Sequence, residues 1–443
     1  MKPSEQYVKL VDPLDLSQKA WTDPRERAIR DLNDVVKLIR EILNTSIFRT
    51  DAIVIKNGLV DAIQLFALEP ISVGGRRSQL IDHLFKSPLK IIHNSSIDAH
   101  VRNQTLARML KMIWRFIVEP ICNALGLKEH TFTRNCPFPP RVLWIPTGIF
   151  AQVPLHAAGD YSSGNLEDSA TARITSSYIA SFRRLQHVRS RSRSIQTAGN
   201  KGVVVSMTSK SWASLPAGIR KYFLPSIYIE AAGVMNAAQF IEWAQMPRTV
   251  KAQLLDVLPR CNYLHVNSHA ETNVADPSLS HLILLDEAAT ESEPVITRLS
   301  VKEMSSTVAD KSILAFLAAC STAYGSVPEL LDEGLQIGNA FQLAGFPHVI
   351  ASLWPVYNFI CPVIARDFYT FINDHTVEHG GMGNDAIAWA LHHAISELKK
   401  EYLDEPLIWA PFIHLGPMSK EVDSFGKAIS RLAFRDHHDR PTG

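Results

Sequence analysis

From residue 203 onward, short apolar runs alternate with amphipathic stretches, and this rhythm constrains the fold more than any other feature of the chain. VVVSM (203–207), YLHVNSH (263–269), ILAFLAAC (313–320) and HVIASLWPV (348–356) read as strands buried on both faces, being short and almost continuously apolar. SIYIEAAG (226–233) reads as a further strand. TVKAQLLDVL (249–258), EGLQIGNAFQLAG (333–345), PVIARDFYTFIND (362–374) and NDAIAWALHHAISELKK (384–400) repeat apolar residues at helical spacing, and FIEWAQ (240–245) also reads as helix. Strands alternating with helices imply an α/β fold with a mostly parallel sheet flanked by helices.

The upstream sequence is less regular. Residues 1–24 are polar, and residues 25–44 carry Ile, Leu and Val at the spacing of an amphipathic helix. DAIVIKNG (51–58) reads as a strand ending in an Asn-Gly turn, and residues 101–126 as a helical stretch ending near Gly126. VLWI (142–145) and SSYIAS (176–181) are short strands. Residues 183–202 are basic and rich in serine, which reads as a solvated helix end and linker.

Of the 443 residues, 46% are hydrophobic and 20% charged, the composition of a soluble globular protein. A net charge of +1 favours neither nucleic acid nor an acidic membrane as a partner. The apolar stretch at 313–320 is far short of the ~20 residues that cross a bilayer. MKPSEQYVKL at the start is not an apolar signal segment, so the chain is not expected to be secreted. Cys122, Cys136, Cys261, Cys320 and Cys361 are scattered and form no CxxC pair, which argues against a disulfide framework or a zinc knuckle. A reducing compartment, cytoplasmic or nuclear, is expected. Neither a phosphate-binding G-x-x-x-x-G-K-[ST] loop nor a G-x-S-x-G elbow occurs.

Two of the buried strands run into reactive residues: YLHVNS into His269 and ILAFLAA into Cys320. Reactive groups of open parallel sheets gather at the carboxyl ends of the strands. A thiol needs a base or cation nearby to be a thiolate at neutral pH, and a histidine supplies one and later protonates a leaving amine. On the residues alone a buried core cysteine and a structural histidine remain open as readings. Order and spacing favour a catalytic pair, because 51 residues separate the two, close to the ~50 of caspases. His265 lies deeper in its strand and reads as structural, as does His156.

The motifs of residues 263–416 resemble the CHAT family, a branch of the caspase- and separase-like cysteine peptidases. They are HVNSHA (265–270), SHLILLD (280–286), LAACSTA (317–323), DEGLQIGNAFQLAGFPHVIASLWPV (332–356) and WAPFIHLG (409–416). Upstream, RTDAIVI, FIVEPICNALGL and VLWIPTGIFAQVPLHAAGDY resemble the N-terminal half of fungal members. The resemblance implies a caspase-like fold in five parts: an arm and helix (1–44), a non-catalytic, pseudopeptidase-like companion half (45–182), the basic linker (183–202), the catalytic half (203–418) and a tail (419–443). It implies Cys320 as nucleophile, His269 as general acid and base, and the backbone N–H groups of Ala270 and Cys320 as an oxyanion hole.

The chain departs from the family pattern at three places. Ala270 replaces the usual glycine after the histidine, Ser321 follows the cysteine where an acidic residue is common, and Tyr357-Asn358 replaces an aspartate. A backbone needing positive φ at residue 270 would strain alanine by ~1 kcal/mol. Asp332, Glu333 and Trp354 are candidate substrate-pocket residues, with helix capping the competing role for the two carboxylates and packing that for the indole. The expected activity is that of a cysteine endopeptidase, cleaving a protein or peptide substrate through a thioester without cofactor or metal. The alternative is a catalytically degenerate scaffold in protein–protein signalling. Relatives often carry helical repeats that regulate the protease; none occurs here, so a regulatory protein would act elsewhere or in trans.

Overall fold

The computed structural model describes residues 51–56, 59–65, 85–127, 138–191 (without 163 and 165), 198–207, 227–318 (without 272, 274, 275, 291, 292 and 308), 337–379 and 385–418. The chain divides into two compact units, residues 1–68 with 420–443 and residues 69–419. In the first, β1 (Asp51–Lys56) and β2 (Leu59–Gln64) pair antiparallel from Asp51↔Gln64 to Lys56↔Leu59. The Asn57-Gly58 pair, the helix expected at 25–44 and the tail 419–443 lie outside the described residues.

The second unit is built on an eight-stranded sheet. Its strands are β3 (Arg141–Trp144), β4 (Thr175–Tyr178), β5 (Asn200–Ser206), β6 (Ile241–Met246), β7 (Tyr263–Asn267), β11 (Leu314–Leu317), β12 (His348–Ser352) and β13 (Phe412–Leu415), in the order β3-β4-β13-β12-β11-β7-β5-β6. Every neighbouring pair is parallel except β12 and β13. All residues of β7, β11, β12 and β13 are buried, as expected of strands sandwiched between helices. A smaller antiparallel sheet, ordered β10-β9-β8, joins β8 (Ala270–Glu271), β9 (His281–Leu285) and β10 (Ile296–Ser300).

Helices fill the connections. The stretch from α1 (Ala99–Ile113) passes through a π-helical turn at Trp114–Val118 and a helix at Glu119–Ala124, then stops at Gly126, whose φ of 67° few other residues adopt. The Asp98 carboxylate caps its start by accepting from the N–H groups of His100 and Val101. The basic seam contains α2 (Phe182–Arg191), whose Leu185 and Val188 are buried with Ile179 against Leu143 and Ile145. That part of the seam is thus a packed helix; residues 192–197 lie outside the described residues.

Two readings of the sequence are corrected. Residues 226–233 do not form a strand: α3 spans Ile227–Ala237. FIEWAQ is not a helix but carries β6, the sheet's edge strand, whose mixed burial gives it the polar residues of a surface segment. Of the remaining helices, α4 (Lys251–Val257) precedes β7, and α5 (Val301–Ser305) opens with a Ser300–Glu303 capping box. α6 (Ile337–Ala344) packs on β12; α7 (Ile360–His379) packs on α3 and on α8 (Ala386–Glu401), which lies on β4 and β13.

A polar chain crosses the sheet where its direction reverses. Asp385 pairs with Arg141 of β3, Arg141 also donates to the Ser177 hydroxyl of β4, and Ser177 Oγ lies 2.7 Å from His414 Nδ1 of β13. His414 Nε2 lies 3.0 Å from His348 Nδ1 of β12, with the rings stacked 5.2 Å apart. Each inward polar group therefore meets a partner on the next strand, which buried polar groups require.

Candidate functional site

The reactive edge is set by the ladder between β7 and β11. Their parallel register pairs Leu314 with Tyr263 and Leu317 with Val266, and the Ala318 N–H extends it by donating to the Val266 carbonyl at 2.8 Å. Both strands leave at the same edge. His269 is the third residue past Val266, and Cys320 the third past Leu317. Cys320 itself lies outside the described residues, as do Ser321, Asp332 and Glu333.

The backbone of His269 is fixed from the small sheet. Its carbonyl accepts the Ile283 N–H at 2.8 Å, and the buried Ser268 hydroxyl donates to the Ile283 carbonyl. Ala270 follows at once in β8, opposite Leu282. Since the Ile283 N–H bonds one residue earlier, Ala270 occupies a non-hydrogen-bonded position of the antiparallel ladder. Its own N–H therefore points away from β9, off the open edge of the three-stranded sheet. An extended ladder position suits alanine, so the strain considered for this departure from glycine does not arise.

His265 is structural. It is fully buried, its Nε2 donates to Glu230 Oε1 at 2.9 Å, and its ring stacks on Phe316 with centroids 5.0 Å apart. Asn267 donates its amide to the other oxygen of the same carboxylate. Glu230 of α3 thus clamps two positions of β7 just before the turn to His269. Reading the sequence missed Glu230, because it lies 35 residues from His265 and no spacing rule links them.

Trp354 does not wall a groove. It is 0% exposed, donates its indole N–H to the Leu407 carbonyl at 3.3 Å, and meets the His93 ring edge to face. His156 is buried between the Tyr178 hydroxyl (2.9 Å) and the Ala410 carbonyl (3.1 Å), and burial pushes its pKa down to about 4. Cys122, Cys261 and Cys361 are buried free thiols, and burial raises Cys122 to about 11 and Cys261 to about 12. Among the described residues no group of three or more His, Cys, Asp or Glu could hold a metal, and no helix is long and apolar enough to cross a membrane.

The second unit is thus a mostly parallel α/β sheet flanked by helices, with His269 following one of its central strands. The sequence profile of the CHAT domain matches residues 107–417, and the chain belongs to that family. No curated protein matches the chain. Among solved structures it is similar to separase in the Saccharomyces cerevisiae separase–securin complex, at 13% identity and a TM-score of 0.39 over 68% of this chain and 17% of that one. It is also similar to the Arg-specific cysteine proteinase gingipain R, at 10% identity and a TM-score of 0.39 over 77% of this chain and 74% of that one. The complex of Porphyromonas gingivalis RgpB pro- and mature domains matches at 12% identity and a TM-score of 0.35, over 78% and 77% of the two chains.

Proposed function

We propose that the protein is a cysteine endopeptidase acting through Cys320 and His269. The observation that carries this reading is the register of β7 and β11, which gives both residues the same offset beyond a shared rung at the carboxyl edge of the sheet. In the proposed reaction His269 takes the thiol proton and the Cys320 thiolate attacks the carbonyl carbon of the scissile peptide bond. The resulting oxyanion is held by the N–H groups of Ala270 and Cys320. Collapse expels the amine, which leaves with the proton from His269, and a thioester remains. His269 then draws a proton from water, whose oxygen attacks the thioester and releases the acid product and the free thiol. The direction of the Ala270 N–H, away from β9, supports the oxyanion role. Residues 45–182 serve in this proposal as the non-catalytic companion half, contributing β3 and β4 to the shared sheet.

Cys320→Ala removes a single sulfur atom and is expected to abolish turnover of a protein substrate with the thermal midpoint preserved. Full activity in that variant would overturn the assignment. The alternative, a degenerate scaffold, is favoured by Ser321 and by the aspartate lost at Tyr357-Asn358; it predicts ordinary thiol reactivity at Cys320.

A further inference from the structure

β8 is held to the small sheet by few bonds. It has two residues, Ala270 and Glu271, and lies at the edge of the sheet. Ala270 occupies a non-hydrogen-bonded position, so of the two pairs in this ladder Glu271↔His281 is the one that exchanges backbone bonds. The bond from Ile283 to the His269 carbonyl holds the other end. A contact between the side chains of Glu271 and His281 therefore carries a large share of what keeps β8 in place.

That contact turns on the ring of His281. Its Nδ1 lies 2.8 Å from the Leu279 carbonyl, and a carbonyl only accepts, so Nδ1 carries a hydrogen. The other nitrogen, Nε2, meets two groups of opposite demand. Arg298 Nε of β10, a donor, lies 2.9 Å away, and Glu271 Oε2 of β8, an acceptor, lies 3.1 Å away. A neutral ring with its hydrogen on Nδ1 has a lone pair at Nε2, which satisfies Arg298 and repels Glu271. A protonated ring has a hydrogen there, which it donates to Glu271 in a charge-assisted bond, and it repels Arg298. No single state satisfies both partners.

The other charged groups of the adjoining elements have partners or face water. Arg298 Nη2 lies 3.9 Å from the same Glu271 oxygen, with its side chain 60% exposed and able to turn outward. Glu303 of α5 is engaged by Lys251 and Ser300, and Lys302 is exposed. Asp276, ahead of β9, accepts from Ser278.

We infer that His281 is a positioning residue for the Ala270 amide, and that a proton on its ring fastens β8 by turning Nε2 from an acceptor for Arg298 into a donor to Glu271. Ala270 lies between His269, tied to Ile283, and Glu271, tied to His281, so fastening Glu271 fixes the direction of the Ala270 N–H. The inference rests on the peptidase reading for its effect on turnover, but not for the fastening itself.

The test reads hydrogen exchange of the Glu271 and His281 amides in the full chain at pH 8 and pH 6, a span in which histidine changes charge. Each rate is taken relative to that of the unstructured peptide, and the amides of β11 serve as reference. In the unaltered chain protection at β8 is expected to rise by about threefold or more at pH 6, with β11 level. Glu271→Gln and His281→Gln should remove that rise, and Arg298→Met, at an exposed position, should show the higher protection already at pH 8. On a blocked decapeptide cleaved by the unaltered chain, the kcat ratio of that chain to His281→Gln should be larger at pH 6 than at pH 8, with KM unchanged. Protection that rises as expected while no chain cleaves peptide would uphold the fastening and sink the peptidase reading. Protection level with pH in the unaltered chain, a rise that persists in Glu271→Gln, or a kcat ratio equal at both pH values would overturn the inference.

Discussion

Ile283 donates its amide proton to the carbonyl of His269 at 2.8 Å, and that bond turns the next amide along, Ala270, away from the ladder. If the Ala270 N–H serves the oxyanion, Ala270→Pro removes the donor while the His269–Ile283 bond survives, and an edge strand tolerates proline. Turnover is expected to fall by ~10²–10³, the effect of losing one such donor, with folding retained. Ala270→Gly should stay within a few-fold of the parent. Comparing kcat for the two variants with circular dichroism as the folding check decides the point: undiminished turnover in Ala270→Pro removes residue 270 from the mechanism.

The clamp beneath the histidine makes a separate prediction. Glu230→Ala leaves both His265 Nε2 and the Asn267 amide buried without their acceptor. Each buried donor left without its acceptor costs ~1–3 kcal/mol. Urea unfolding should show a loss of that order, and a smaller one for Glu230→Gln, which keeps an acceptor oxygen. A loss in Glu230→Ala below ~1 kcal/mol would mean that the polar cluster does not hold β7 in place.

Much of this was legible in the sequence, and the parts that were not have physical causes. The runs ending at His269 and Cys320 read as strands because continuous apolar segments of that length suit a doubly covered sheet. α3 was misread because Ile227, Tyr228 and Ile229 favour strands in isolation, and a short apolar helix shows little periodicity against the α7 it packs on. β6 was misread because an edge strand carries exposed polar residues such as Glu242 and Gln245. Nothing in the local sequence reports the antiparallel contact of β12 with β13, which rests on pairs such as Ile350↔His414.

At that contact, glycine is required at residue 416. A Cβ there would come within 2.4 Å of His414 Nε2 and 2.8 Å of His348 Nδ1. Gly416→Ala should therefore part the stacked imidazoles and cost ~1–3 kcal/mol, the usual penalty of overpacking. A variant as stable as the parent in urea would show that the stack does not secure the junction.

Buried histidines set the acid limit of stability. Burial lowers both His93 and His156 to about 4, and His414 falls well below its ordinary value through burial and the nearby His348 and Arg141. These groups stay neutral in the folded chain while the unfolded chain takes up protons below about pH 6.5. Their contribution is complete above that pH and is lost as the pH falls toward about 4, by about 2 kcal/mol per histidine at pH 5 for His93 and His156. Urea midpoints measured from pH 8 to pH 4.5 should hold level and then drop. A midpoint that rises with acid would contradict the burial of these rings.

The central claim is the pairing of Cys320 with His269, and its most direct test is the pH-dependent alkylation rate of each cysteine in the folded protein. Peptide mapping separates the sites, and Cys122 and Cys261, raised to about 11 and 12, are slow internal references. Cys320 should react fast near neutral pH and slow by about tenfold or more in His269→Ala, because a thiolate needs its base. A Cys320 that reacts as an ordinary thiol, at a rate indifferent to His269, would contradict the dyad.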